Sequence, residues 1–212
     1  MKNFLALAAL LVLLPTLGHA AVSPQDAAKK TPYEMITPPV PTASGGKIEV
    51  VEIFFYGCPH CHEFHPYMEQ WLKTRPANVS YVRMPAVLRD DWSLLGRAYY
   101  AAELLGVLDK SHTALFDAIH KGKRQELFTE DGLANFYADY GVNKDTFRKT
   151  LYSFAVETKI SWSKQMVRRY RIGGTPTVII NGKYRVDPGM TNGFDGMIRT
   201  VDYLVKQEGK RS

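Results

Sequence analysis

The chain has 212 residues, of which 45% are hydrophobic and two are cysteines, and its formal net charge is +6. This length suits one globular domain, or one domain with an insertion, and is enough to bury a hydrophobic core. The positive charge is mild and spread along the chain. Its densest run, around Arg168 and Arg169, alternates with apolar residues, so it indicates a solvated helix face and does not support nucleic-acid binding.

The first 20 residues have the pattern of a cleaved signal peptide. Lys2 precedes an apolar stretch from Phe4 to Leu14, and Gly18-His19-Ala20 places small residues where a signal peptidase reads them. The apolar stretch is shorter than the about 20 residues that a membrane-spanning helix needs. We therefore expect cleavage after Ala20 and an exported chain without stable membrane insertion; the alternative is a retained core helix.

The next segments predict an extended arm followed by a β-α-β unit. Residues 21–46 are rich in proline, alanine, serine and lysine, which is typical of an extended segment. Apolar patterns then predict a strand from Ile48 to Phe55, a helix from Pro59 to about Thr74 that ends before Pro76, and a strand from Val79 to Met84. A helical crossover of this kind favours parallel pairing of the two strands.

From Trp92 to about Arg171 the apolar residues recur at helical spacing, which predicts an all-helical block. Thr129 and Asn143 are predicted helix caps. The helix that follows Asn143 is expected to contain the apolar residues Phe147, Leu151 and Phe154. The aromatic residues of the block fit helix cores better than a ligand site: Tyr99, Tyr100, Phe136, Tyr137 and Tyr140.

The last part of the chain predicts a β-hairpin and a helix. Strands are expected at Thr177 to Ile180 and Tyr184 to Val186, because Asn181-Gly182 between them is the preferred pair for a tight type I′ turn. A final helix covers about Phe194 to Lys206. The predicted order is therefore β-α-β, helices, then β-β-α, which is an α/β arrangement.

The two cysteines form the sequence Cys58-Pro59-His60-Cys61 at the end of a strand and the start of a helix, which is the layout of a dithiol redox centre. The helix N-terminus favours a thiolate at Cys58, so Cys58 is the predicted nucleophile. Cys61 lies one turn further on and is expected to be more buried. His60 is predicted to lower the pKa of Cys58 through its charge or a hydrogen bond.

These motifs, with Gly173-Gly174-Thr175-Pro176-Thr177 and Asn181-Gly182-Lys183-Tyr184 in the same relative order, resemble the DsbA family of exported thiol oxidases. The resemblance covers nearly the whole mature chain and implies a thioredoxin fold with an inserted all-helical domain. The implied parts are a signal peptide (1–20), an N-terminal arm (21–46), a thioredoxin-like domain in two pieces (47–88 and 172–212) and a helical insertion (89–171).

The resemblance also implies an activity and its partners. A Cys58–Cys61 disulfide would oxidise reduced or unfolded exported proteins in the periplasm, through a mixed disulfide at Cys58 and without a metal or other cofactor. A DsbB-like membrane quinone reductase would then reoxidise the protein, which we expect to be a monomer. A DsbC-type isomerase would need a dimerising domain before the catalytic one, and residues 21–46 are too few for that.

Three further site residues follow from the resemblance. Pro176 matches the family's cis-proline, and Thr175 precedes it in a loop that offers its backbone to a bound peptide. Glu52 matches a buried acid near Cys61, and we expect it to relay protons for that thiol with Arg83 as partner. For Pro176 the alternative is a trans proline at the start of a strand. For Glu52 the alternative is that Glu49 and Glu52 mark a solvent-exposed face of the strand. The predicted site residues are thus Cys58, Cys61, His60, Pro59 and Glu52 for catalysis, and Thr175 and Pro176 for substrate binding.

Three other classes of protein compete with this interpretation. Cys58 to His62 is a literal Cys-x-x-Cys-His, the attachment pattern of c-type haem, although it follows a strand and contains proline. A zinc site at Cys58, Cys61, His62 and His65 would need one helix face to surround a tetrahedral ion. A binding module with incidental thiols is the third class. Otherwise we expect His62 and His65 to be solvated, and His112 and His120 to have no functional partners.

Overall fold

The structure, a computed structural model, describes residues 31–210. The predicted signal peptide, its cleavage site and residues 21–30 of the predicted arm lie outside the described residues. Within the described range the strands are β1 (Glu34–Met35), β2 (Ile48–Phe54), β3 (Val79–Pro85), β4 (Thr177–Ile180) and β5 (Tyr184–Val186). The α-helices are α1 (Pro59–Thr74), α2 (Ser93–Leu104), α3 (Leu108–His120), α4 (Glu130–Ala138), α5 (Lys144–Leu151), α6 (Phe154–Arg169) and α7 (Gly193–Gly209).

The five strands form one mixed sheet in the order β1-β5-β4-β2-β3. The β2–β3 pair is parallel, as the sequence predicts, and the other pairs are antiparallel. Every residue of β2 is buried, because helices cover both faces of the sheet at this strand. The cysteine motif therefore follows directly after a fully buried strand.

Alternate residues of β2 belong to two separate cores. Val50 packs with α1 and α7 on one face, through Phe64 and Met68 among others. Val51 and Ile53 pack on the other face with residues of α6. The fold is thus three layers, and the helix that carries the cysteines packs on β2.

Between β3 and β4 the chain forms the helices α2 to α6, which enclose a core of their own. This core continues to the end of β2, where Phe54 and Tyr56 pack against Tyr99 and Phe116. The turn before the cysteine motif is therefore part of the helical core as well as of the sheet. Along residues 31–210 no helix is long and apolar enough to cross a membrane.

Several local predictions are confirmed. Helix α1 has the predicted bounds. The Thr129 hydroxyl accepts a hydrogen bond from the Gly132 N–H at 3.1 Å. The Asn143 side chain likewise accepts bonds from two N–H groups of α5. At the hairpin, Asn181 and Gly182 have φ values of 50° and 64°, as both central residues of a type I′ turn require.

The prediction that one helix contains Phe147, Leu151 and Phe154 was wrong, and the Phe154 side chain is 88% exposed. Helix α5 ends at Leu151, and Ser153 starts a new helix by accepting a hydrogen bond from the Val156 N–H. The break resets the helical phase, so the apolar spacing that includes Phe147 and Leu151 does not extend to Phe154.

The predicted arm contains an element that the sequence did not reveal. Glu34 and Met35 pair antiparallel with β5 and add an edge strand to the sheet. Arg185 reinforces the pairing, because its Nη2 lies 2.6 Å from Glu34 Oε2. A two-residue strand is too short to produce an alternating pattern, so its partner strand and this ion pair determine it.

Candidate active site

The cysteine motif sits where β2 passes into α1. The Cys58 N–H donates to the Phe55 carbonyl at 3.0 Å, which closes a turn with Tyr56 and Gly57 at its centre. Cys58 is the N-cap residue of α1, and Pro59 is its first helical residue, where a proline loses no hydrogen bond. The sequence thus places Cys58 at the positive end of the helix dipole.

Cys58 is partly exposed and Cys61 is 1% exposed, and both are free thiols in the structure. The pKa of Cys58 is lowered to about 5. The largest cause is a hydrogen bond from the Cys61 thiol; the Thr175 side chain and the backbone N–H groups of Cys61 and His60 contribute as well. Burial opposes these effects but does not outweigh them. At neutral pH Cys58 is therefore a thiolate.

Cys61 has the opposite environment. Burial, together with its hydrogen bond to Cys58, raises the pKa of Cys61 well above its ordinary value. Cys61 is therefore a thiol at neutral pH and serves as a donor to the neighbouring sulfur. The two cysteines are one turn apart on α1, yet one is ionised and the other is not.

The Thr175–Pro176 peptide bond is cis, as the sequence interpretation expects, and its loop lies against the dithiol. The Thr175 carbonyl oxygen is 3.4 Å from Cys58 Sγ. This carbonyl can only accept a hydrogen bond from the thiol, so it opposes ionisation, but one long contact is weaker than the several donors that favour the thiolate. A shallow pocket of about 280 Å³ adjoins the loop and is lined by residues 173–177, Arg185, Asp187 and Pro188.

Glu52 is 2% exposed in the middle of β2, so the alternative of a solvent face is wrong. Its Oε2 accepts a hydrogen bond from the Tyr81 hydroxyl and lies 3.7 Å from Arg83 Nε. Burial raises the pKa of Glu52, while Arg83 and Tyr81 partly counter that effect. Arg83 also binds Glu69 of α1, whose side chain is 43% exposed. A polar path therefore leads from the buried acid towards solvent.

Comparison with known proteins agrees with this geometry. Residues 78–205 match the model of the DSBA-like thioredoxin domain family. The thiol:disulfide interchange protein DsbA of Pseudomonas syringae pv. tomato is 39% identical over 98% of this chain and 96% of that relative. The chain belongs to the DsbA family. It is therefore a protein disulfide oxidoreductase with a thioredoxin-like fold, and the haem-attachment interpretation fails.

Other DsbA proteins show similar agreement. The DsbA of Azotobacter vinelandii is 40% identical over 89% of this chain and 87% of that relative. The crystal structure of Pseudomonas aeruginosa DsbA is 39% identical and aligns with a TM-score of 0.80, covering 85% of this chain and 94% of that one. Because these matches extend over both sheet and helices, the fold class is that of the DsbA family throughout the described range.

One predicted contact of this DsbA family member differs in the structure. The His60 side chain is exposed, and its Nδ1 lies 3.1 Å from Glu63 Oε2 rather than at the Cys58 sulfur. The His60 backbone N–H contributes to the lowered pKa of Cys58. The expected side-chain hydrogen bond was wrong because the first helical turn directs the ring along α1 towards Glu63.

The expectation about the other histidines was also wrong. His65 is buried and its Nε2 lies 2.8 Å from the Thr113 hydroxyl, and His62 Nε2 lies 2.8 Å from Asp117 Oδ1. His112 is 4% exposed, and burial holds its pKa well below its ordinary value. Each of these side chains lies where α1 or the end of β2 meets α3, a helix pairing that the sequence spacing does not reveal.

Aromatic residues next to the dithiol were missed as well. Gly57 has no side chain, and a Cβ there would meet the Phe55 ring at 2.5 Å and the Phe128 ring at 3.2 Å. Phe55 stacks on Trp92 with their ring centroids 3.9 Å apart. The glycine before Cys58 was the available sign that other groups approach this backbone closely. Among residues 31–210 there is no group of three or more His, Cys, Asp or Glu side chains arranged to hold a metal ion.

Proposed function

We propose that this protein is a periplasmic oxidase that donates a Cys58–Cys61 disulfide to newly exported proteins. The observation that supports this direction is the low pKa of Cys58 beside a buried, protonated Cys61. Stabilising the thiolate favours the dithiol over the disulfide, so the disulfide form tends to take electrons. DsbA proteins are the established example of an oxidant whose reduced form is the stabilised one.

The proposed cycle has two exchange steps. A substrate thiolate attacks Cys58 of the disulfide, a substrate–Cys58 bond forms, and the Cys61 sulfur leaves and takes up a proton. A second substrate thiolate then attacks the substrate sulfur of this mixed disulfide, and Cys58 leaves as a thiolate. Two electrons pass from the substrate dithiol to the protein. A DsbB-like membrane quinone reductase would remove these electrons and restore the disulfide.

Substrate would lie across the loop that contains Thr175 and Pro176. Its backbone groups adjoin Cys58, and the neighbouring pocket is shallow and open, which suits an extended peptide rather than a small ligand. Unfolded chains of varied sequence can be held in this way, since the contacts involve backbone atoms. This agrees with a catalyst that acts on many reduced proteins.

The remaining parts of the proposal concern export and organisation. We propose that residues 1–20 are removed after Ala20, that residues 21–46 form an arm, and that the thioredoxin-like domain consists of residues 47–88 and 172–212. Residues 89–171 would be the helical insertion. The mature protein would act as a monomer in the periplasm.

The proposed direction of reaction is tested with a reduced, unfolded substrate protein. We expect stoichiometric amounts of the disulfide form to oxidise reduced ribonuclease within minutes, with loss of substrate thiols equal to the thiols gained by the protein. Thiol trapping followed by electrophoresis measures both. If the disulfide form leaves the substrate reduced while the dithiol form reduces substrate disulfides, the protein is a reductase and the proposal is wrong.

Glu52→Gln is expected to slow disulfide exchange about 10- to 100-fold, since general acid–base catalysis contributes at least this much when a proton must reach a poor leaving group. Cys61 is such a group because its pKa is raised, and Glu52 would supply and later remove its proton. The measurement is the rate of mixed-disulfide formation with a thiol peptide as a function of pH.

Glu49→Gln is the matched control, because Glu49 lies on the same strand with its side chain in the other face of the sheet and accepts a hydrogen bond from the Ala43 N–H. We expect this variant to keep the original rate and pH profile. Equal rates in both variants would remove Glu52 from the mechanism.

A further inference from the structure

The turn that leads into the cysteine motif is bound by side chains of helix α3, which is not part of the thioredoxin-like sheet. Tyr56 and Gly57 are its central residues, and Cys58 follows as the N-cap of α1. Any displacement of Tyr56 therefore moves the Cys58 sulfur relative to the N–H groups at the start of α1. Gly57 has no side chain of its own to pack, so the side chain that anchors this turn is that of Tyr56.

Two histidines of α3 bind Tyr56, one at its carbonyl oxygen and one at its hydroxyl. His120 Nε2 lies 2.7 Å from the Tyr56 carbonyl oxygen, and His112 Nδ1 lies 2.7 Å from the Tyr56 hydroxyl. A carbonyl oxygen only accepts hydrogen bonds, so His120 Nε2 carries the proton and donates it. This donation is available to both the neutral and the charged imidazole.

The spacing of residues on α3 explains why these contacts occur together. Positions 112, 116 and 120 are four residues apart and share one helix face. Between the histidines, the Phe116 ring packs on the Tyr56 ring with centroids 4.9 Å apart. Tyr56 is 1% exposed, so its carbonyl oxygen and hydroxyl have no solvent to replace a lost partner.

The His120 ring is itself fixed by the first turn of α1. It stacks on the His62 ring with their centroids 5.0 Å apart, and His62 Nε2 lies 2.8 Å from Asp117 Oδ1. His62 is the residue after Cys61. The α3 histidines thus contact the dithiol segment on both sides, before Cys58 through Tyr56 and after Cys61 through His62.

We infer that His112 and His120 are positioning residues that set the reactivity of Cys58 by holding Tyr56, and so connect the helices between β3 and β4 to the redox centre. This inference rests on the proposed role of Cys58 as the attacked sulfur and reactive thiolate. A role in packing alone would change the stability of the protein but leave the titration of Cys58 unchanged in the molecules that remain folded.

The test compares His120→Ala with His120→Gln, whose side-chain amide can donate to the same carbonyl. The thiolate absorbance of the reduced protein is titrated with pH, and the exchange rate with a thiol peptide is measured on the disulfide form. We expect His120→Ala to raise the titration midpoint of Cys58 and to slow exchange about tenfold, because small misplacements of reacting groups have effects of this order. His120→Gln should recover most of both.

Two further variants keep the test decisive. Tyr56→Phe removes only the hydroxyl that meets His112, so the protein should still fold. It should raise the titration midpoint of Cys58. This variant therefore tests the positioning role even if His120→Ala does not fold. Lys110→Ala, on an exposed position of α3, is the control and should match the unmodified protein.

The outcomes separate this inference from the proposed function. If Cys58 of the unmodified protein titrates near its ordinary value, the proposed function itself is wrong. If it titrates low and neither His120→Ala nor Tyr56→Phe moves the midpoint, the positioning role is overturned. The role of the hydrogen bond is also overturned if His120→Gln behaves like His120→Ala.

Discussion

Raising the pH from 6 to 8 is expected to stabilise the reduced form against unfolding, relative to the disulfide form, by at most about 2.5 kcal/mol. Cys58 has a pKa of about 5 in the folded reduced protein and an ordinary thiol pKa when unfolded. Between these two values, unfolding takes up one proton, which corresponds to about 1.4 kcal/mol per pH unit.

The sign follows from the direction of the shift. A lowered pKa means that the stabilisation is fully present above the pKa of the unfolded thiol and is lost as the pH falls through about 5. Cys61 opposes this effect only near pH 8, because its raised pKa keeps it protonated in the folded state while the unfolded thiol, with its ordinary pKa, begins to ionise. Solvent near the partly exposed Cys58 sulfur reduces the total effect but not its direction.

Denaturant unfolding of both forms at a series of pH values measures this difference. Other titrating groups, including the buried His112, contribute to the unfolding free energy of both forms, so their contributions cancel when the two values are subtracted. Reduced Cys58→Ser protein provides a second reference and should show the pH dependence of the disulfide form. If the difference between the two forms is constant from pH 6 to 8, Cys58 is not a stabilised thiolate.

Replacing either cysteine should abolish turnover, but with different products. Cys58→Ser should reduce the rate to that of the uncatalysed reaction, because a serine hydroxyl is not ionised at neutral pH and cannot form the mixed disulfide. In Cys61→Ser the serine hydroxyl can still donate a hydrogen bond to the Cys58 sulfur, but no thiol is left that could close a disulfide on it. When the Cys58 thiolate of this variant attacks a disulfide in a substrate, one substrate sulfur leaves as a thiolate and the other stays bound to Cys58, so we expect Cys61→Ser to accumulate mixed disulfides.

Non-reducing electrophoresis of the two variants after expression and acid trapping distinguishes them. Adducts should be present for Cys61→Ser, absent for Cys58→Ser, and sensitive to reductant. If adducts form with Cys58→Ser, the assignment of the two roles is reversed. If neither variant forms adducts, exchange does not proceed through Cys58.

Much of this fold could be predicted from sequence because its signals are local. The apolar run of β2 followed by Pro59 placed the start of α1, and Thr129, Asn143 and Asn181-Gly182 marked two caps and a turn. Each of these depends on the conformational preferences of a few adjacent residues. The cysteine motif is local in the same sense, since position along the helix already predicted that Cys61 would be the more buried of the two cysteines.

Other features depend on elements that are distant in sequence. His112 and His120 have partners 56 and 64 residues away, so only the packing of α3 reveals them. The polar contacts of Glu52 similarly arise from the register of β2 and β3, which places it opposite Arg83. His60 was misjudged for the opposite reason, since a local partner, Glu63, binds its ring.

The most direct test of the account is the redox equilibrium of the protein, without its first 20 residues, in glutathione buffers of known ratio. Cys58 ionises about two pH units below neutrality, which corresponds to a shift of about 60 mV towards an oxidant relative to an ordinary dithiol. We predict that the dithiol form predominates even in mildly oxidising buffers, as measured by thiol trapping. A Cys58–Cys61 disulfide that persists in buffers rich in reduced glutathione would contradict the account.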